Sequence, residues 1–137
     1  MKDFRDLKIW QKGHQLALLV YAATKAFPKE EAYGLTSQMR RASISIPANI
    51  AEGCGRGGDA ELNRFLRIAM GSASELEYHF ILAKDLELLG GSTHEQVSAA
   101  IEEMKKMLAA FIGRINHGQI AEAANRRYRR ASPKADR

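Results

Sequence analysis

Apolar residues recur along most of the chain at spacings of three and four, and no segment alternates in twos, so the pattern predicts helices and argues against sheet. Four stretches emerge. The first runs from about Leu7 to Phe27, with Ile9, Leu16, Leu19, Val20, Ala23 and Phe27 on a broad apolar side and Trp10, Ala17, Tyr21 and Thr24 beside them. Pro28 ends it, because proline disfavours helical geometry in the residue before it. After a loop through Gly34, the second stretch sets Leu35, Met39, Ala42, Ile46, Ile50 and Gly53 at near-heptad spacing, the seam of a helix packed in a bundle. Pro47 falls inside it and removes the amide that would bond to the carbonyl of Ser43, which predicts a kink, or failing that a break into two shorter helices. Small residues around it (Ala42, Ser43, Ser45, Ala48, Ala51) would let a neighbouring helix approach closely.

The run Gly53-Cys54-Gly55-Arg56-Gly57-Gly58 stops the second helix, and Asp59 is a natural N-cap for the next. The third stretch, about Ala60 to Leu89, carries a stripe of Leu62, Leu66, Ala69, Ala73, Leu76, Phe80 and Ala83, widened by Phe65, Ile68, Leu82, Leu86 and Leu89. Gly90-Gly91 closes it, and Ser92-x-x-Glu95 has the form of a capping box that opens the fourth helix. There Val97, Ile101, Met104, Leu108, Phe111 and Ile115 keep heptad spacing, Glu102 and Lys106 form a favourably ordered pair on the wet side, and His117-Gly118 marks the end.

Four amphipathic helices on short turns bury their stripes best as an up-down antiparallel four-helix bundle, an all-α fold spanning residues 1–118, with 119–137 as a basic C-terminal extension. Gln119 to Arg130 could add a short helix, and the last residues read as disordered. Helices one and three have more apolar circumference than one core uses. The economical occupant of that surplus is another copy of the chain.

The net charge of +5 changes this picture only at one place. Arg126, Arg127, Arg129, Arg130, Lys134 and Arg137 stand against Asp136, so the C-terminal tail holds the whole excess and the body is formally neutral. A basic tail binds phosphate without discrimination, or is simply a solvated end. With no run long enough to span a membrane, no signal-peptide core and the single cysteine Cys54, the chain reads as cytoplasmic and not membrane-bound.

Chemistry has little foothold. The Gly53–Gly58 run follows no strand and lacks the Gly-Lys-Ser/Thr of a phosphate-binding loop, so it is a turn between helices. Glu75, Glu77 and His79 do not reproduce the paired Glu-x-x-His of a di-iron bundle, and Glu75 and His79 read instead as a hydrogen-bonded pair one turn apart. Cys54, ahead of a helix, could have a lowered pKa but has no designated base, and no nucleophile elbow or triad spacing occurs. No enzymatic activity, metal or cofactor is expected. Arginines offer the better lead: Arg64 and Arg67 lie one turn apart on the third helix, Arg40 and Arg41 on the second, and Arg56 in the turn between. Antiparallel packing could gather all five near one end to grip phosphate bidentately, or local pairing with Glu52, Asp59 and Glu61 could neutralise them.

Gln38-Met39-Arg40-Arg41-Ala42-Ser43-Ile44-Ser45-Ile46-Pro47-Ala48-Asn49-Ile50-Ala51-Glu52-Gly53, followed by Phe65-Leu66-Arg67-Ile68-Ala69-Met70-Gly71-Ser72-Ala73-Ser74-Glu75-Leu76-Glu77, resembles the signature of the four-helix-bundle proteins encoded in intervening sequences of bacterial 23S ribosomal RNA genes. The likeness begins at Phe4, Leu7 and Trp10, takes in Phe27-Pro28 and Tyr33-Gly34-Leu35, and reaches about Ile115; the tail after Asn125 stands outside it. The resemblance implies a ring-like homopentamer, related in architecture to the accessory variability determinant of diversity-generating retroelements, whose relatives bind RNA and DNA through basic surfaces. On that basis the chain is expected to be a homo-oligomeric accessory protein holding nucleic acid, RNA or DNA, through phosphate contacts by the arginine group (Arg40, Arg41, Arg56, Arg64, Arg67) and the tail (Arg126, Arg127, Arg129, Arg130). The alternative is a scaffold whose helix faces meet a protein partner.

Overall fold

The computed structural model describes residues 3–31 and 33–131, with the side chains of 119–122 excepted. Every regular element among them is helical: α1 spans Lys8–Thr24, α2 Leu35–Gly55, α3 Asp59–Asp85 and α4 Gly91–Ala131, with single 3₁₀ turns at Phe4–Asp6 and Lys29–Glu31. The first 3₁₀ turn is capped by Asp3, whose carboxylate accepts from the Arg5 amide at 2.9 Å. Each α-helix packs on the next, and α1 closes against α4 around one core. The fully buried side chains are those of the predicted stripes, among them Val20, Met39, Ile46, Ile50, Leu66, Leu76, Phe80, Ile101, Met104 and Leu108.

Side-chain contacts set the register. The Ser45 and Ser72 hydroxyls hydrogen-bond at 2.8 Å, and a Cβ added to Gly53 would stand 3.0 Å from Phe65 Cβ, so α2 and α3 run antiparallel in close contact. Lys105 reaches Glu77 at 3.3 Å between α3 and α4, and Lys12 reaches Glu103 at 3.4 Å between α1 and α4. Both pairs are partly exposed and add little to stability.

Three local expectations change, and one alternative falls. Pro47 does not break α2, which is one helix of 21 residues; the proline is buried beside Gly13 of α1, where even an added Cβ would make ordinary contact at 3.5 Å. Asp59 is not the N-cap of α3. Gly58 occupies that position without a side-chain hydrogen bond, and Asp59 and Glu61 instead face the positive end of the helix from its first turn. Ser92 lies inside α4, which starts at Gly91, so the capping box does not form; the His94 amide bonds to the Gly90 carbonyl. The largest change concerns the end of α4. The helix runs through His117-Gly118 to Ala131, 41 residues or about 60 Å. A single exposed glycine lowers helix propensity by only ~1 kcal/mol, which the good helix formers around Gly118 (Ala121, Glu122, Ala123, Ala124) offset. The terminal stretch read as disordered, 132–137, lies outside the described residues.

Candidate nucleic-acid interface

The α2–α3 turn is short because Gly57 adopts φ 74, a left-handed conformation that glycine takes without strain. Arg56 and Arg64 flank this turn, and both are occupied. Arg56 donates to Glu52 at 2.9 Å and Arg64 to Glu61 at 3.1 Å, and their guanidinium carbons lie 5.3 and 4.4 Å from the centre of the buried Phe65 ring. Local pairing thus prevails for these two, which cover the end of the core and bring little net charge.

The antiparallel register also separates the arginines that were expected to gather. With Ser45 level with Ser72, Arg40 and Arg41 lie beside residues 76–78 of α3, roughly 15 Å along the axis from Arg67 at 1.5 Å per residue. Arg40 points back to α1, where its Nε donates to Thr24 Oγ1 at 2.9 Å and its guanidinium lies 4.5 Å from the Tyr21 ring centre. Arg41 donates to Gln38 at 2.8 Å. Among the described residues neither has a carboxylate partner, and together with Tyr21, Thr36, Ser37 and Ile44 they line an open cavity of about 430 Å³.

Arg67 also has no carboxylate partner among the described residues. It lines a shallow cavity between α3 and α4 with Met70, Ala109, Ile112 and Gly113. That register places Arg114 at the same level, its guanidinium carbon 5.3 Å from the Phe111 ring centre. Arg114 was missed by the sequence reading; the signal was its position one turn past Phe111 on the wet side of the fourth stripe, and it is level with Arg67 but lines the groove with Leu7, Lys8 and Ile9 at the start of α1. Following the same register, the start of α3 faces α4 near residue 120, so the last 11 residues of α4 project about 16 Å past it. Arg126, Arg127, Arg129 and Arg130 lie on this projection and are exposed. The structure therefore brings Arg67, Arg114 and the terminal arginines to one end of the bundle, together with the neutralised Arg56 and Arg64, and leaves Arg40 and Arg41 apart.

The remaining titratable candidates are part of the packing. His79 is buried against α2 and its Nδ1 has no partner, so the hydrogen-bonded pair with Glu75 is not formed. Burial pushes the His79 pKa below the ordinary value; Glu75 opposes the shift and Arg41 adds to it. Burial pushes the Cys54 thiol up, the reverse of an activated cysteine. Among the described residues no group of three or more His, Cys, Asp or Glu could hold a metal ion, and no helix is long and apolar enough to cross a membrane.

The family described as 23S rRNA-intervening sequence protein matches residues 5–110 of the chain, which includes Arg40, Arg41, Arg56, Arg64 and Arg67 but not the arginines of the projecting end of α4. Among solved structures the chain is similar to a protein of unknown function from the S23 ribosomal protein family of Bacteroides thetaiotaomicron VPI-5482, with 24% identity and a TM-score of 0.69 over 76% of this chain and 97% of that one. At that identity the likeness is one of fold. No curated protein matches in sequence.

Proposed function

Since the chain belongs to the 23S rRNA-intervening sequence protein family, we propose that it is a non-enzymatic, homo-oligomeric accessory protein of the cytoplasm that binds RNA or DNA mainly through phosphate contacts. One observation carries this reading: an exposed helical projection bears Arg126, Arg127, Arg129 and Arg130 at the same end as Arg67 and Arg114. Guanidinium groups on a helix that clears the body can follow a phosphate backbone without reading bases, which makes binding tolerant of sequence and steeply dependent on salt. A ring of subunits, five on the family resemblance, would repeat this end around an axis and multiply weak single contacts.

Fluorescence-anisotropy titration of structured RNA and duplex DNA over a range of salt, using the full chain and a chain ending at Asn125, tests the proposal. The full chain should bind, and the slope of log affinity against log salt for duplex DNA should shrink by up to about 5 on truncation, near 0.9 for each phosphate that the six removed Lys and Arg no longer neutralise. Arg67→Ala should weaken what remains. Absence of binding to either nucleic acid at low salt would remove the proposal and leave the scaffold, a reading favoured by the exposed Leu18 and Tyr21 on α1 and Ile68, Tyr78 and Ile81 on α3. That alternative requires association insensitive to salt.

A further inference from the structure

We propose that the turn between α3 and α4 is an acidic, apolar knob that docks into the groove at the start of α1 of a second copy of this chain, joining copies end to end. The contact goes beyond the phosphate-binding reading and needs no nucleic acid.

The knob is Asp85-Leu86-Glu87. Leu86 is 53% exposed, although Leu88 and Leu89 just after it pack against the core. The amides of Leu86, Glu87 and Leu88 donate to the carbonyls of Leu82, Lys84 and Ala83, each at 2.9 Å, so the turn is already ordered and presents Leu86 without a large cost in freedom. Asp85 and Glu87 flank it, both exposed and neither in an ion pair among the described residues; the adjacent Lys84 pairs with neither.

The groove has the complementary chemistry. It forms where α1 begins while α4 runs on, and Leu7, Ile9, Met107, Ala110 and Phe111 give it an apolar lining of about 300 Å³, enough for an aliphatic side chain and its neighbours. Its charged members are Lys8 and Arg114, both exposed and without a carboxylate in ion-pair reach among the described residues; Asp6, next to Leu7 in the chain, does not line it. A leucine between two acids thus matches an apolar slot between two bases. Within one chain the two lie at opposite ends of the bundle, Met107 being roughly 24 Å along α4 from Gly91, so the knob cannot enter its own groove.

Each side also carries a residue that its own helix end disfavours. Glu87 has φ 59, the left-handed geometry that closes α3 and that glycine takes without strain. Lys8 puts positive charge in the first turn of α1, a turn with no acidic residue and no side-chain cap, against the positive end of the helix dipole. Residues that break a local rule at a cost to stability are expected at functional sites, and opposite charge across an interface gives both a use. Knob and groove are different surfaces, so the contact is head to tail and does not stop at a dimer.

Sedimentation velocity of the full chain over a range of concentration, without nucleic acid, tests this. The average mass should keep rising with concentration above that of the smallest assembly. Glu87→Lys and Lys8→Glu each set like charges face to face and should raise the concentration needed for growth by about tenfold or more. The double variant exchanges the charges and should restore growth. Glu87→Gly should weaken growth a few-fold yet raise the melting temperature measured below the growth range, because glycine relieves the left-handed turn. Weaker association with higher stability does not follow from a merely structural glutamate. A mass independent of concentration, growth that the single substitutions leave unchanged, or a double variant as weak as the single ones overturns the contact.

Discussion

Replacing Gly53 by alanine sets two effects of known size against each other at a close approach of α2 and α3. Glycine inside a helix costs about 1 kcal/mol relative to alanine, so on propensity alone the substitution stabilises. The new Cβ would stand 3.0 Å from Phe65 Cβ, 3.1 Å from Leu62 Cδ1 and 3.4 Å from Leu62 Cα, where unstrained carbons prefer about 3.5–4.0 Å. The Leu62 methyl can rotate away. Phe65 Cβ cannot, because it is fixed to the α3 backbone, so the two helices must part by roughly 0.5 Å at a point where Phe65 is itself buried. Overpacking of this kind costs about 1–3 kcal/mol, which leaves Gly53→Ala less stable than the parent by up to ~2 kcal/mol. Gly71 supplies the control: it is exposed inside α3 with no atom within 4 Å of an added Cβ, so Gly71→Ala should gain about 1 kcal/mol. The two variants should therefore differ by about 1–3 kcal/mol, read as a difference in urea midpoint at constant m by circular dichroism. Light scattering would establish that both share the parent's assembly state. If Gly53→Ala proved as stable as Gly71→Ala, the close α2–α3 contact and the register built on it would be refuted.

Acidification should destabilise the fold through His79. Its folded pKa lies below the unfolded value near 6.5, so the unfolded chain takes up the proton first, and stability present above about pH 6.5 is lost as pH falls through the depressed folded value. His79→Gln should flatten the stability–pH curve in that window; an unchanged slope would remove His79 as its source. Cys54, buried and with its thiol pushed up, should be alkylated far more slowly in the native protein than after urea unfolding, as followed by mass spectrometry. Equal rates would show that the α2 end opens freely.

Helix number, the core stripes and the positions of the turns were all legible in the chain, since a spacing of three and four is local information and Leu66, Leu76, Phe80, Ile101 and Leu108 could serve no other purpose than a shared core. Errors clustered at helix ends. Asp59, Ser92 and Gly118 each carry a local signal of modest energy that neighbouring residues outweighed, whereas Pro47 sits inside an unbroken α2. The candidate sites were legible as residue types but not as groups. Arg64 and Arg67 stand three residues apart, yet one is bound to Glu61 and the other faces Met70, Ala109 and Ile112. Which carboxylate an arginine meets depends on rotation about the helix axis and on the neighbour across the groove, and neither is a property of a single segment. The cavity bounded by Tyr21, Thr36 and Arg40 joins two helices across the Pro28–Gly34 loop, and the groove that Arg67 shares with Ala109 and Ile112 joins positions more than 40 residues apart. Sequence alone determined that four amphipathic helices would form and that positive charge would accumulate at the C-terminus, because both follow from residue order along one chain. Only tertiary structure decided which arginines keep their charge free for a ligand, because that choice is made by the axial register and facing of helices packed side by side.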